Sequence, residues 1–581
     1  MNHYITRKQF APWLFLIVFA ALCYFSQDEK SVTVDEFCHF PSGIYNLITL
    51  DWRMDRESPP LVKCFPALTA IITQPDLNIR LFAKNPNPWT FGYDFMFRNM
   101  EEYQKIFKYG RCAVILLGCL GGFILFKFAN ELFGYKAGLL ALFLYIFNPN
   151  IIAHSRLTTI DVGASCFILL SIYCFWLFLK KKDGRSTFIA GAALGIAQLS
   201  KFTSLLLFPI FLVIFIINLL KEESFLRRRK RTHDNFSLIK YIGYFFLSLL
   251  ISLLIINAGY LFSGTFTPLE KYHFLSEPLI SIKDLCWNKL PIPLPYEYVK
   301  GFDSQLAIST GHNSFYVGYL MGENSLKGWW YYYIIAFIIK NPVSLTVLLL
   351  ITLYIRITGG ISSRADFKTS LCIWIPVLCF FSYFSFFTNI PIGIRFMLPV
   401  LPLLFMAIGY IAGESIMKHK AAKAIIYILL IFYMLSSVYA FPNYLSYFNP
   451  AAVGYRDRGY WLIDSNLDWG QDLPSLKNYM KEKGIKKIKL GYFGRVDPGI
   501  YGIDYTLAKK EIEEGFYAIS ANFLAGRPYY LLKENKKGLK YADIDYFRNY
   551  RLIQPNEILG HTIYVFEVNN KKGAVPANNL Q

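Results

Sequence analysis

Residues 161–182 read DVGASCFILLSIYCFWLFLKKK: one carboxylate, a stretch without a charge as far as residue 179, then three lysines. About 18 uncharged, mostly apolar residues are enough to cross the hydrocarbon core of a bilayer as a helix. The two ends differ in charge, and loops retained in the cytoplasm carry the excess of Lys and Arg. Read this way, Lys180, Lys181 and Lys182 lie in the cytoplasm and Asp161 stands at the outer surface.

Working outward by the same length rule, further spans are expected near residues 10–26, 105–128, 137–152, 186–200, 202–220, 239–262, 329–355, 371–388, 394–413 and 422–441. That makes about eleven transmembrane helices, the third and fifth being short enough to be tilted, broken or re-entrant. One parity then gathers Arg7 and Lys8, the 180–182 lysines with Arg185, the basic run at 227–231, Arg356 with Arg364 and Lys368, and Lys418 with Lys420 and Lys423 on the side of the N-terminus. The N-terminus is therefore expected in the cytoplasm and the C-terminal part outside, in a multi-pass protein of the cytoplasmic (inner) membrane. The first run lacks a small-residue cleavage site and reads as an anchor rather than a signal peptide.

Composition agrees. The 581 residues are 54% hydrophobic and 17% charged, with 18% aromatics and a net charge of +20. A soluble chain carries roughly a quarter charged residues, and so apolar a chain is neither disordered nor a natural nucleic-acid binder. The cysteines form no CxxC pair and mostly lie inside apolar runs, where they read as small hydrophobes. The fold class is thus a polytopic α-helical membrane protein over residues 1–441, with extracytoplasmic loops at 27–104 and 263–328. A small α/β extracytoplasmic domain follows over 442–581, with a helix at 475–483 and strands at 487–493, 516–523 and 562–568.

Chemistry is expected outside. Asp35 and Glu36, with Cys38 and His39 close by, follow the first span, and then comes Asp55-Arg56-Glu57-Ser58-Pro59-Pro60-Leu61-Val62-Lys63. Paired carboxylates with a histidine suit acid–base or cation chemistry, while the same acids would serve equally as a helix cap. Lys63 is aimed by the rigid Pro59-Pro60 turn, either to a phosphate or simply to snorkel. Asp161 enters hydrocarbon, where a carboxylate suggests function unless Arg156 neutralises it. Lys201 sits between two apolar runs on the outer side and needs an acidic side chain or a lipid phosphate as partner. Arg395, in Gly393-Ile394-Arg395-Phe396-Met397-Leu398-Pro399, presents a fork suited to phosphate or carboxylate. His312 lies in the second outer loop. Residues 464–473, DSNLDWGQDL, have a composition found both on sugar-contacting surfaces and at capped helix starts. Asp35, Glu36 and Asp161 could collect a divalent metal, without diagnostic spacing. No Walker loop, dinucleotide fingerprint or HExxH is present.

The Asp-Glu pair, the Pro-Pro-Leu-x-Lys turn, the Asn-Pro run leading to Asp161 and the Gly-x-Arg-Phe-x-Leu-Pro entry to the tenth span together resemble the GT-C glycosyltransferases. These are the protein O-mannosyltransferase and aminoarabinose transferase superfamily, and the chain looks most like its bacterial family 39 members. The resemblance spans most of residues 1–441 and the stretches at 464–473 and 491–502. It implies inverting transfer of a sugar, hexosyl or pentosyl, from a polyprenyl-phosphate donor to a lipid, glycan or protein acceptor at the outer face of the membrane, as in cell-envelope or protein glycosylation. Asp35 would be the acceptor-binding base, supported by Glu36. Lys63, His39, Asp161, Lys201, His312 and Arg395 would contact substrate, the last two basic groups of the membrane part, Lys201 and Arg395, meeting the donor phosphate. Glu57-Ser58 stands where many relatives have a His before Pro-Pro, so that role is not carried over. A lipid-linked-sugar flippase or ion-coupled transporter is the alternative, with Asp35 and Asp161 as coupling sites.

Overall fold

The computed structural model describes residues 2–228, 235–285, 289–310, 317–358, 367–412, 419–533 and 538–569. The protein is mostly helical. Among the described residues seven helices are long and apolar enough to cross a membrane: Phe10–Gln27, Tyr103–Phe133, Asp161–Lys181, Phe202–Lys221, Leu238–Gly259, Phe367–Phe386 and Lys420–Ala440. Two bent pairs raise the number to nine, Tyr135–Ile146 with Pro149–Ser155 at 65° and Tyr332–Lys340 with Val343–Ile357 at 111°.

The expected count of about eleven differs from this in two places. The fifth stretch folds as Gly184–Gln198, only 15 residues long. The tenth becomes a short 3-10 turn, Ile394–Met397, followed by the ten-residue helix Val400–Gly409, every residue of which is buried. Its apolarity is spent on packing inside the bundle instead of on lipid contact.

Proline explains both bends. Asn148 caps the helix that Pro149 opens, its Oδ1 accepting from the N–H of Asn150 at 3.0 Å and of Ile151 at 3.2 Å. Asn341, preceding Pro342, is extended at φ −110°, ψ 153°, as expected before proline. The breaks meet, because Asn148 Nδ2 donates to Asn341 Oδ1 at 2.9 Å and Asn150 Nδ2 to the Lys340 carbonyl at 2.7 Å. Backbone groups freed at the bends are thereby satisfied inside the bundle, a requirement in hydrocarbon.

The loop at 27–104 folds into helices, chiefly Val34–Thr49, Pro60–Ala67 and Pro88–Arg98. After residue 441 a helix, Leu473–Glu482, precedes a five-stranded mixed sheet. Strand Ile488–Gly491 pairs in parallel with Tyr505–Leu507 and Gly515–Ser520; Ile563–Val568 pairs antiparallel with Gly515–Ser520 and Glu557–Leu559. A separate hairpin joins Tyr529–Leu532 to Leu539–Ala542. The expected strand at 516–523 ends at Ser520, where a turn of helix, Ala521–Leu524, begins.

Candidate active site

Asp35 lies in the first turn of helix Val34–Thr49. Its neighbour His39 is one turn on, so the two share a face, with His39 Nε2 at 4.0 Å from Asp35 Oδ2. Glu36 is rotated about 100° away by the same geometry. It is fully buried, and its carboxylate meets Arg111 Nη2 at 2.6 Å, Arg111 Nε at 2.8 Å, and the N–H groups of Thr33 at 3.0 Å and Thr158 at 2.8 Å. Burial alone would raise the Glu36 pKa, but the Arg111 guanidinium and the two N–H groups hold it below the ordinary value. The expectation that Glu36 shares the catalytic work is corrected on this ground: adjacent helical residues do not face one cavity, and every lone pair of Glu36 is directed into the scaffold.

Asp35, His39, Asp161, Lys201 and Arg395, which stand up to 360 residues apart, line one cavity of about 450 Å³. Arg395 Nη1 lies 2.6 Å from Asp35 Oδ2 and 3.7 Å from Asp161 Oδ2. Lys201 Nζ lies 2.6 Å from Asp161 Oδ1. This supplies the partner that Lys201 requires. Arg156 does not neutralise Asp161: it donates to the Ser26 carbonyl and stacks 5.6 Å from the Tyr444 ring. Apolar groups including Leu205, Leu206, Phe302, Phe384 and Phe396 complete the lining, a mixture typical of binding cavities.

Lys63 sits behind this wall. It is 2% exposed, and its ammonium donates to the carbonyls of Met54 at 3.1 Å and Asp55 at 2.6 Å, with the Asp55 carboxylate at 3.6 Å. A phosphate has no access to it, which corrects the expected donor contact. The lysine instead fixes Asp55, whose backbone is left-handed at φ 54°, a conformation Asp tolerates better than most residues. Asp55 Oδ2 in turn holds His39 Nδ1 at 2.8 Å. Burial would lower the His39 pKa, but the Asp55 carboxylate, with Asp35 behind it, raises it above the ordinary histidine value. Asp55 responds in the opposite sense: burial pushes its pKa up, and Lys63 and His39 pull it below the ordinary value. Asp55 was visible in the sequence as an acid beside a proline turn, but nothing in the spacing tied it to His39.

Residues 464–472 turn out to be a clamp. Gly393, at φ 147°, packs where a Cβ would meet Ser465 Oγ at 2.5 Å, so glycine is required to deliver Arg395. Asn466 Oδ1 accepts from the N–H of Ile394 at 2.9 Å. Trp469, 2% exposed, lies with its ring 4.6 Å from the Arg395 guanidinium, and its carbonyl accepts from the N–H of Val34 at 3.1 Å. One loop of the C-terminal part therefore steadies both Arg395 and the helix end that carries Asp35. Asp472 anchors the loop through Lys30 at 2.5 Å.

His312 lies outside the described residues, as do residues 229–231 of the basic run. Among the described residues no three of His, Cys, Asp and Glu come together to hold a metal. Asp35, Glu36 and Asp161 do not form such a set, since Glu36 faces Arg111 and the other two face Arg395.

Residues 107–233, a stretch that includes the cavity residues Asp161 and Lys201, match the family model described as dolichyl-phosphate-mannose-protein mannosyltransferase. Similar solved structures include ArnT from Cupriavidus metallidurans bound to undecaprenyl phosphate, with 12% identity, a TM-score of 0.46, and coverage of 90% of this chain and 96% of that one. The oligosaccharyltransferase of Archaeoglobus fulgidus in its apo form is 12% identical, with a TM-score of 0.41, over 74% of this chain and 55% of that one. No curated protein sequence matches.

Proposed function

We propose that the protein is an inverting glycosyltransferase that moves a sugar from a polyprenyl-phosphate donor to a lipid, glycan or protein acceptor at the outer face of the cytoplasmic membrane. The observation that carries this reading is the alternation of charge in one cavity: Asp35, Arg395, Asp161 and Lys201 in sequence, each within 4 Å of the next. Relationship to glycosyltransferases that use lipid-linked donors points the same way. So does the ArnT neighbour's undecaprenyl phosphate, and the apolar remainder of the cavity suits the first isoprene units of such a carrier.

In this mechanism the donor phosphate takes a share of Arg395 and Lys201, and Asp35 is released to accept a hydrogen bond from the acceptor hydroxyl. The hydroxyl oxygen bonds to the anomeric carbon from the face opposite the phosphate, the carbon–oxygen bond to phosphate breaks, and the hydroxyl proton passes to Asp35. The polyprenyl phosphate leaves with its added negative charge stabilised by the two cations.

A flippase or coupled transporter would place its ionisable groups near the bilayer midplane. Here Asp161 is the first residue of its helix and Arg395 lies in the turn before another, which favours the transferase. Purified full-length protein supplied with a labelled polyprenyl-phosphate sugar and a membrane extract as acceptor source should form a new glycosidic product. Movement of lipid without any such product would sink the proposal.

A further inference from the structure

Beyond the rim of the cavity stands Arg495, from the C-terminal domain. Its guanidinium lies 5.0 Å from the ring of Trp89, 4.9 Å from that of Tyr529 and 5.1 Å from that of Tyr530, and Nε donates to Tyr529 Oη at 2.9 Å. Trp89 and Cys38 are lining residues of the catalytic cavity, and the positive charge of Arg495 reaches the Cys38 thiol. The group is half-buried. Its electrostatic neighbours are tyrosines, and among the described residues no carboxylate is paired with it. Five other inward-facing cations, Arg111, Lys30, Lys201, Arg395 and Arg527, each have a carboxylate within hydrogen-bond distance, and buried Lys340 and Arg156 are met by backbone carbonyls.

A half-buried guanidinium without a counter-charge is incompletely solvated, and an anion entering the site would repair that. The surface beside it is aromatic. Tyr530 and Tyr541 are directly opposite in the hairpin register, with rings 5.3 Å apart, and they are 42% and 47% exposed. Exposed rings beside an Arg are the residue types that dominate binding energies, and the C–H face of a pyranose packs on such a ring because the ring face is electron-rich.

We infer that Arg495, Trp89, Tyr530 and Tyr541 form a subsite for an anionic saccharide, one that carries a carboxylate or phosphate, at the mouth of the cavity. Its identification with the acceptor rests on the transferase reading. In that role the charge would dock on Arg495, the sugar face would rest on the tyrosines, and the acceptor hydroxyl would reach past Trp89 towards Asp35. The C-terminal domain thus selects what is glycosylated, while the membrane part holds what is transferred.

The test is binding, measured without donor. Purified full-length protein is titrated with D-glucuronate, glucose 6-phosphate, glucose and inorganic phosphate. At least one of the two charged sugars should bind about tenfold or more tightly than both glucose and inorganic phosphate, and Arg495→Gln should erase that margin. Which charged sugar wins says whether the anion is a carboxylate or a phosphate. Equal binding of sugars with and without charge, an unchanged margin in Arg495→Gln, or inorganic phosphate binding as tightly as glucose 6-phosphate would overturn the inference. Should Arg495→Gln fail to purify as folded protein, the exposed Tyr530→Ala decides: weaker binding of the charged sugar supports the subsite and unchanged binding removes it. Transfer without sugar discrimination would remove the subsite alone, whereas discrimination without transfer by any donor would remove the transferase reading and leave the subsite.

Discussion

Arg395 Nη1 touches Asp35 Oδ2 at 2.6 Å, and the same nitrogen stands 3.7 Å from Asp161 Oδ2. One guanidinium thus bridges the carboxylate in the first turn of helix Val34–Thr49 and the carboxylate that begins the apolar helix Asp161–Lys181. In the absence of donor the bridge keeps Asp35 occupied. On the proposed transferase reading, a phosphate arriving between Arg395 and Lys201 would compete for the same donors and so couple donor binding to release of Asp35 through one side chain.

Arg395→Ala should lower transfer by about 10²- to 10³-fold, the range for removing one charge-stabilising donor. Arg395→Lys should recover little of it, because a compact ammonium on a shorter stem lacks the planar guanidinium face that lies 4.6 Å from the Trp469 ring. Amounts of folded protein in the membrane, quantified beside initial rates, check this. Equal loss of abundance and activity would show that the residue only fixes the helix ends.

Asp35→Asn and Glu36→Gln should behave differently despite their adjacency. The first keeps shape but removes basicity and should lower turnover by about 10²- to 10⁴-fold with donor binding retained. The second leaves the buried Arg111 uncompensated, at a cost of about 3–5 kcal/mol, and should reduce abundance and activity together. Lys63→Met should follow Glu36→Gln, since it strips the carbonyls of Met54 and Asp55 of their donor. Thermal stability and single-turnover rates of the purified variants separate the two classes.

The membrane class, the sheet-containing C-terminal region and the charges at Asp35, Asp161, Lys201 and Arg395 that the fold gathers into one cavity were legible because each rests on a local pattern: an apolar run, an alternation of strand residues, a charge where hydrocarbon begins. What stayed hidden depends on rotation and distance. Adjacency of Asp35 and Glu36 suggested a pair, yet the helix turns them about 100° apart, one into the cavity and the other onto Arg111. Lys63 looked outward from its proline turn, but the carbonyls that capture it come from the left-handed bend at Asp55, which no periodicity announces. Apolarity at 394–413 marked a span, although the helix in it, Val400–Gly409, is only ten residues long and packs wholly inside the protein. The loop at 464–473 was conspicuous for its polar residues and tryptophan, and only the fold shows that they grip the turn before Arg395.

The His39–Asp55 pair predicts a pH dependence of stability. His39 is raised above its unfolded value of about 6.5, so its contribution is fully present below about pH 6.5 and is lost as pH rises through the raised value. Asp55 is depressed; its contribution is present above its unfolded pKa and disappears as pH falls through the folded one. His39→Gln should therefore melt below wild type by the widest margin in mildly acidic buffer, and the gap should narrow above neutrality. Melting temperatures of both proteins across pH 5.5 to 9 are the check, and a gap that widens with pH would contradict the charged pair.

Trp469 offers the last test, because it belongs to the C-terminal domain yet lies 4.6 Å from the guanidinium of Arg395. Trp469→Leu keeps an apolar residue under that group but removes the electron-rich face, an interaction worth up to about 2 kcal/mol when desolvated. If the ring positions Arg395 for the donor phosphate, the variant should show about a tenfold fall in transfer at subsaturating donor, with weaker donor binding and a smaller change at saturation. Phe396 also lies over the guanidinium, at 5.4 Å, and limits how far it can swing, which is why the expected loss is smaller than for Arg395→Ala. Repeating the measurement in Arg395→Ala, where the ring has no guanidinium to hold, should show almost no additional effect of Trp469→Leu beyond its effect on stability. Full additivity of the two substitutions would mean that the tryptophan supports the fold alone, and that the C-terminal domain reaches the chemistry by some route other than this stack.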